Sequence, residues 1–225
     1  MTRLTGVPGP GESARGVIVG LVGDIECLVA TPRNPARGIA VICHPHPLFG
    51  GELGNKVVYT LASVALKQDF IALRFNFRGV GSSQGTHDAA RGETEDCLHV
   101  VEWLRAQAPG LPLLLAGFSF GAFVSLNAAA RARPAALVSI APPFGRYFDD
   151  APNPAHPGCP WIAVHSRDDE VVVFDETAQI LRSYRPEPEL VTVDGAGHFF
   201  HGRLDTLQNA IHPFLDRHWP LPREV

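Results

Sequence analysis

The 225-residue sequence lacks several features that would point directly to a class of function. It contains no run of basic residues and its net charge is −4, so we expect neither a nucleic acid nor an anionic membrane surface as a partner. No apolar run approaches the ~18 residues that a membrane-spanning helix needs, and the N-terminal stretch has no apolar core typical of a secretory signal. We therefore expect a cytoplasmic protein.

Cysteine pairs at metal or redox spacing are also missing. The four cysteines, Cys27, Cys43, Cys97 and Cys159, include no C-x-x-C pair, and we expect free thiols without a disulfide. The His44-Pro45-His46 stretch could be interpreted as a metal-binding pair, but no Asp or His partner follows at metal-site spacing. We therefore expect no metal site at these residues.

The chain has no internal repeat, no low-complexity tract and no linker. Its length and its 45% hydrophobic content suit one well-buried α/β domain and are small for two. We expect a single domain over residues 1–225, in which Met1–Gly16, polar and containing Gly and Pro, forms a poorly structured N-terminal segment.

Apolar, β-branched runs alternate with stretches of helical periodicity after a predicted hairpin around Gly23-Asp24. This alternation is typical of a mostly parallel sheet with helices on both faces and antiparallel strands at its N-terminal end. Functional side chains in such sheets lie in the loops that follow the strands. The predicted strands are Gly38–Cys43, Phe70–Asn76, Leu111–Gly117, Ala135–Ala141, Trp161–His165 and Glu189–Val193, and the predicted helices are Lys56–Lys67, Glu93–Ala108, Ala122–Arg133, Phe174–Arg185 and Arg203–Trp219.

A G-x-S-x-G motif, Gly117 to Gly121, stands between a buried strand and a helix. In that context the motif predicts a nucleophile elbow, a sharp turn that holds Ser119 above the sheet at the positive end of the following helix. The positions two before and two after the serine have no room for a side chain, which accounts for both glycines. A plain tight turn is the alternative.

A serine hydroxyl becomes a strong nucleophile only when a base takes its proton. His198, between flanking glycines after the last predicted strand, is the candidate base, although a loop histidine can also be a simple surface residue. A carboxylate should follow an earlier strand, and Asp169 is our choice, with Asp168 as the alternative. Asp194 lies too close to His198 along the chain to fit this order.

An oxyanion hole needs two backbone N–H groups. Phe120, directly after the serine, should provide one of them. The second should come from the loop after Cys43, where the two prolines have no N–H; His46 is the first choice and Leu48 the second.

The glycine-rich loop from Asn76 to Ser82 is not a phosphate-binding loop, because no Gly-Lys-Ser/Thr follows it. We interpret it as a structural loop at the rim of the site. Arg78 within it should form a structural ion pair, with an anion-binding role as the alternative.

Together these stretches resemble the α/β-hydrolase superfamily. The resemblance is carried by Gly117–Gly121, Arg78–Ser82, His165–Val172 and Gly195–His198, and the run Cys43–Gly51 resembles small bacterial hydrolases without a lid. It implies a Ser119–Asp169–His198 triad and an esterase-like activity that needs no cofactor. The sequence departs from many relatives in having Ser166 in place of glycine and His44-Pro45 in place of His-Gly.

The segment between the predicted strands ending at Ala141 and beginning at Trp161 is too short for a multi-helix lid, so we expect no large cap domain. An apolar rim could be formed by Leu48, Phe49, Phe144, Tyr147, Phe148 and Phe199, and ordinary packing beneath a loop is the alternative for each aromatic residue among them. We therefore expect a serine hydrolase that cleaves small-molecule carboxylic esters or thioesters. The alternatives are a peptidase or amidase with the same triad and a non-catalytic binding protein with this fold.

Overall fold

The computed structural model describes residues 1–145 and 152–219. The strands are β1 (Ser13–Val19), β2 (Asp24–Ala30), β3 (Gly38–Cys43), β4 (Phe70–Phe75), β5 (Leu113–Phe118), β6 (Ala136–Ile140), β7 (Trp161–Ser166) and β8 (Glu189–Val193). The α-helices are α1 (Lys56–Lys67), α2 (Arg91–Gln107), α3 (Phe120–Ala132), α4 (Phe174–Leu181) and α5 (Leu204–His218), and a short 3₁₀ helix covers Pro47–Phe49.

The strands form one sheet in the order β1-β2-β4-β3-β5-β6-β7-β8. Strand β2 pairs with β1 and β4 in antiparallel fashion, while all pairs from β4 to β8 are parallel. The predicted mostly parallel sheet with antiparallel N-terminal strands is therefore confirmed.

Two hydrophobic cores cover the two faces of this sheet. Because successive side chains of a strand point to opposite faces, Ile39 and Val41 of β3 join one core and Ala40 and Ile42 join the other. Helices α2, α3 and α4 contribute to the first core, and α1 and α5 contribute to the second. Burial on both faces explains why the central strands are continuous apolar runs in the sequence.

The N-terminal segment differs from the expectation. Strand β1 begins at Ser13, inside the segment predicted to be poorly structured, and the residues before it pair with the outer edge of β1. The Leu4 N–H donates to the Val17 carbonyl oxygen at 2.8 Å, and the Val17 N–H donates to the Thr2 carbonyl oxygen at 2.9 Å. The reason is that an edge strand has unpaired backbone groups, which this short segment satisfies.

The loops after β3, β4, β5, β6, β7 and β8 meet at one edge of the sheet, as predicted for the carboxyl ends of parallel strands. Only residues 141–160 separate β6 from β7, so the sheet has no large cap domain. Tyr147 and Phe148, two of the rim candidates, lie outside the described residues. None of the described helices combines the length and the apolar character needed to traverse a bilayer.

Candidate active site

Ser119 occupies the turn between β5 and α3, in a conformation that L-residues rarely adopt. Its φ is 53° and its ψ is −124°, and its N–H donates to the Ile140 carbonyl oxygen at 2.8 Å. A Cβ on Gly117 would lie 2.1 Å from the Gly121 carbonyl oxygen, and one on Gly121 would lie 2.4 Å from the Cys43 carbonyl oxygen. The close approach of these backbones requires glycine at both positions, as the sequence motif predicted.

His198 approaches Ser119 from the loop after β8. Its Nε2 lies 3.0 Å from Ser119 Oγ, and the imidazole is almost completely buried. The backbone N–H of His198 donates to Glu170 Oε2 at 3.0 Å, so the loop after β7 fixes the backbone that carries the histidine. The side chains that the sequence placed in separate loops are therefore within hydrogen-bonding distance of each other.

Asp169 is the carboxylate that contacts this histidine. Its Oδ2 lies 2.8 Å from His198 Nδ1, whereas the Asp168 carboxylate accepts the Gly195 N–H instead. Asp194 lies on the surface, where its carboxylate pairs with Arg167 at 3.2 Å. Of the acids considered from the sequence, only Asp169 makes a hydrogen bond to the His198 ring among the described residues.

His165 is a member of the site that the sequence analysis missed. It lies on β7, is fully buried, and places Nε2 3.1 Å from the same Asp169 Oδ2 and 3.0 Å from the Val172 carbonyl oxygen. Both neighbours are acceptors, so the ring must carry a proton on Nε2 to donate to them. The sequence does contain an indication of this role, because His165 ends an otherwise apolar predicted strand four residues before Asp169.

The Asp169 carboxylate is held in its ionised form by its hydrogen bonds. Burial alone would raise its pKa, but hydrogen bonds from His165 and His198 outweigh burial and hold the pKa well below its usual value. The other oxygen, Oδ1, accepts the N–H groups of Val171 at 2.9 Å and Val172 at 2.7 Å. The site therefore presents a fixed negative charge to the far side of the His198 ring.

The two residues predicted to line an oxyanion hole are neighbours. The ring of His46 lies 4.8 Å from the ring of Phe120, centroid to centroid, and 5.0 Å from that of His87. The Leu48 N–H, the alternative donor, is directed to His46 Nδ1 at 3.2 Å. This leaves Leu48 less suited to hold a substrate oxygen than His46.

His44 ties the loop after β3 to the loop after β4. Its Nε2 accepts the Phe77 N–H at 3.0 Å and its Nδ1 lies 2.6 Å from the Pro45 carbonyl oxygen. Burial lowers the pKa of His44 to about 4, so the ring is neutral at physiological pH. In the described part of the chain no group of three His, Cys, Asp or Glu side chains is arranged to hold a metal ion.

Arg78 forms a two-pronged ion pair with Asp96. Its Nη2 lies 2.7 Å from Asp96 Oδ1 and its Nε 2.9 Å from Oδ2; Arg78 is partly buried and Asp96 is fully buried. The guanidinium is thus committed to a structural contact, which agrees with the interpretation of Arg78 as an ion-pairing residue.

The rim of the site is apolar on the side of the loop after β3. Leu48 is 68% exposed and Phe49 85% exposed, and Phe199 beside His198 is 43% exposed. Phe144 does not belong to the rim and follows the alternative of ordinary packing: it is buried in the core formed with α2, α3 and α4, with its ring 6.4 Å from that of Tyr184. The β6–β7 segment turns this side chain inward, which its sequence pattern did not reveal.

Comparison with known proteins places the chain in a family. The family described as X-Pro dipeptidyl-peptidase (S15 family) matches residues 24–151. An uncharacterized protein of Rickettsia prowazekii is 32% identical over 86% of this chain and 84% of its own length. A lysophosphatidylserine lipase of Macaca fascicularis is 29% identical over 62% of this chain, and the chain spans less than half of that relative, 44%.

A solved structure agrees with these sequence matches. The α/β serine hydrolase without lid from Xanthomonas campestris superposes with a TM-score of 0.85 at 39% identity, over 95% of this chain and 99% of that chain. Both the fold and the absence of a cap are therefore shared along almost the whole length. The chain belongs to the S15 family within the α/β-hydrolase superfamily, among the small serine hydrolases that have no lid.

Proposed function

We propose that this protein hydrolyses carboxylic esters or thioesters of small molecules through an acyl-enzyme on Ser119. Ser119 Oγ attacks the substrate carbonyl carbon while His198 Nε2 takes the hydroxyl proton. The tetrahedral intermediate collapses as His198 returns that proton to the leaving alcohol or thiol. Water, deprotonated by His198 in turn, then releases the carboxylic acid and restores Ser119.

The other proposed roles follow from the neighbours of these two residues. Asp169 holds His198 with its proton on Nδ1, so that Nε2 faces Ser119 as an acceptor, and it stabilises the imidazolium that forms. The N–H groups of Phe120 and His46 are proposed to hold the oxyanion, at the N-terminal end of α3 where developing negative charge is favoured. No metal or organic cofactor takes part in this scheme.

One observation carries the proposal. It is the continuous chain of contacts from Ser119 Oγ to His198 Nε2, at 3.0 Å, and from His198 Nδ1 to Asp169 Oδ2, at 2.8 Å. A serine that only stabilised a turn would not require a buried base and a buried, ionised acid aligned behind it.

Labelling with a fluorophosphonate, together with hydrolysis of p-nitrophenyl acetate, tests this function. The wild-type protein should be labelled at Ser119 and turn over the ester, and Ser119→Ala should lose both properties while its far-UV circular dichroism stays unchanged. Ser82→Ala, at an exposed serine in the loop after β4, is the matched control and should keep both. Unchanged turnover in Ser119→Ala would rule out the proposed nucleophile.

A peptidase or amidase is the second candidate, because the matching family is described by a dipeptidyl-peptidase activity. The same Ser119 chemistry serves an amide if the leaving amine is protonated. Rates on an X-Pro p-nitroanilide and on a p-nitrophenyl ester separate the two: we expect kcat/KM to favour the ester, and the reverse preference would make the protein a peptidase. Absence of both turnover and labelling would instead favour a non-catalytic binding protein.

The substrate is proposed to be a small ester whose acyl or alcohol group can lie along an open, partly apolar rim. The exposed Leu48, Phe49 and Phe199 side chains support this, since they offer apolar contact without an enclosing lid. We further propose a cytoplasmic location, which is compatible with the four free thiols.

A further inference from the structure

Arg74, near the C-terminal end of β4, is a buried cation that has no acidic partner in the part of the chain that the structure describes. Only 8% of the residue is exposed, and no carboxylate oxygen among residues 1–145 and 152–219 lies within 4.0 Å of its guanidinium. Its Nη1 donates to the Leu53 carbonyl oxygen at 2.8 Å, and the guanidinium stacks 5.3 Å from the centre of the Tyr59 ring. These contacts satisfy only part of its capacity of five N–H donors.

Arg74 also belongs to the lining of a cavity. The pocket has a volume of about 320 Å³ and lies between β2, β4 and α1, and neither Ser119 nor His198 is part of its lining. Within the described residues neither Nε nor Nη2 makes a hydrogen bond, and neither is sealed from solvent. The other lining residues of the pocket are Gly11, Glu12, Ser13, Leu28, Ala30, Thr31, Tyr59, Ala62, Ser63, Leu66 and Ala72.

The electrostatic setting favours an anion. Burial lowers the pKa of Arg74 below its usual value, and the nearby positive charge of Arg15 adds to this effect, yet an arginine in a protein stays charged. Arg15 itself is paired, with Glu26 Oε1 2.7 Å from its Nη2. Arginine is rarely buried unless it is paired, because an uncompensated charge is costly to remove from water.

We propose that this cavity is a binding site for a small aliphatic carboxylate, whose carboxylate pairs with Arg74. A planar guanidinium matches a carboxylate by two parallel hydrogen bonds, and the hydroxyl of Ser63 is available in the same lining. The rest of the wall is largely aliphatic, with Leu28, Leu66 and the alanines of β2, β4 and α1. A charged end and an apolar wall together suit a short fatty acid better than inorganic phosphate.

Glu12 is the natural competitor of such a ligand. It also lines the cavity, but its carboxylate accepts the Gly9 N–H at 3.2 Å and does not reach Arg74. An incoming carboxylate would feel the repulsion of this like charge. Removing the negative charge of Glu12 should therefore strengthen binding of the carboxylate ligand, which a purely structural role of Arg74 would not predict.

Isothermal titration of the 225-residue protein with sodium hexanoate tests the site, with hexan-1-ol and sodium phosphate as comparison probes. Hexanoate should bind with one site per chain, and hexan-1-ol and phosphate should bind at least about tenfold more weakly. Equal binding of hexanoate and hexan-1-ol would overturn the role of the charge. Tighter binding of phosphate would overturn the aliphatic part of the assignment.

Variants locate the binding within the cavity. Arg74→Gln should weaken hexanoate binding by about tenfold or more, as expected for the loss of a hydrogen-bonded charge pair. Glu12→Gln should strengthen it, and Ser63→Leu, which fills the cavity from a helical position, should abolish it. Arg131→Gln, at an exposed arginine that pairs with Glu95, is the matched control and should bind like the wild type.

The Ser63→Leu and Glu12→Gln variants keep the test decisive if Arg74→Gln does not fold. Hexanoate binding that survives in Ser63→Leu would place the ligand elsewhere, for example at the Ser119 cleft, and would refute the proposal. The proposal does not depend on the catalytic role of Ser119, and loss of esterase activity in Ser119→Ala with intact hexanoate binding would leave it standing.

Discussion

Replacing Asp169 by Asn tests the proposed chemistry most sharply, because it removes a charge and almost no volume. Asp169 accepts four hydrogen bonds, from the Val171 and Val172 N–H groups on Oδ1 and from His165 and His198 on Oδ2. The NH2 of an asparagine side chain is itself a donor and cannot face the two backbone N–H groups. Its Nδ2 must therefore turn towards the two imidazole rings.

That orientation reverses the hydrogen bond to His198. With an amide N–H opposite it, His198 Nδ1 has to accept, and the proton moves to Nε2, where it points at Ser119 Oγ. The ring can then no longer take the serine proton. We expect kcat to fall by about 10³- to 10⁴-fold, which corresponds to roughly 4–5.5 kcal/mol in the activation barrier.

The assay is steady-state hydrolysis of a p-nitrophenyl ester, with thermal unfolding to establish that the variant is folded. Asp168→Asn is the matched control: its carboxylate accepts a backbone N–H from Gly195 and does not contact His198, so its kcat should change by less than about tenfold. Comparable activity of Asp169→Asn and the wild type, or a larger loss in Asp168→Asn, would refute the assignment of the acid.

Two further predictions concern stability. Gly121→Ala places a Cβ 2.4 Å from the Cys43 and His44 carbonyl oxygens, so urea denaturation should show that the free energy of unfolding falls by at least about 2 kcal/mol. The control is Gly6→Ala, which should lower it far less because its Cβ would meet its nearest neighbour at 3.6 Å. Similar stabilities of the two variants would contradict this packing. The depressed pKa of Asp169 stabilises the fold above its unfolded pKa near 4, and this contribution is lost as the pH falls towards the folded pKa. The difference in unfolding free energy between wild type and Asp169→Asn should therefore be constant above about pH 5 and shrink below pH 4; a difference that does not change with pH would argue against an ionised, hydrogen-bonded carboxylate.

Periodicity and glycine placement in the sequence predicted most of the architecture. The bounds of α1 and β8 agree with the prediction, because each has a clear pattern and a clear boundary, such as the Asn55 side chain that caps α1 by accepting the Val57 N–H at 2.9 Å. The N-terminal segment was misjudged, because its order comes from pairing with the edge of β1 and not from any pattern of its own.

The candidate active site likewise combines features that the sequence determines with features that only the tertiary structure decides. The sequence by itself determined Ser119 and its turn, because the backbone contacts of Gly117 and Gly121 are local and exclude any side chain. Only the tertiary structure decided between Asp168 and Asp169 as the partner of His198, brought His165 to the same carboxylate, and placed Arg74 in the lining of a cavity. These facts depend on how strands distant in sequence lie beside one another, and a sequence pattern records the local period of each strand but not which side chains meet across the sheet.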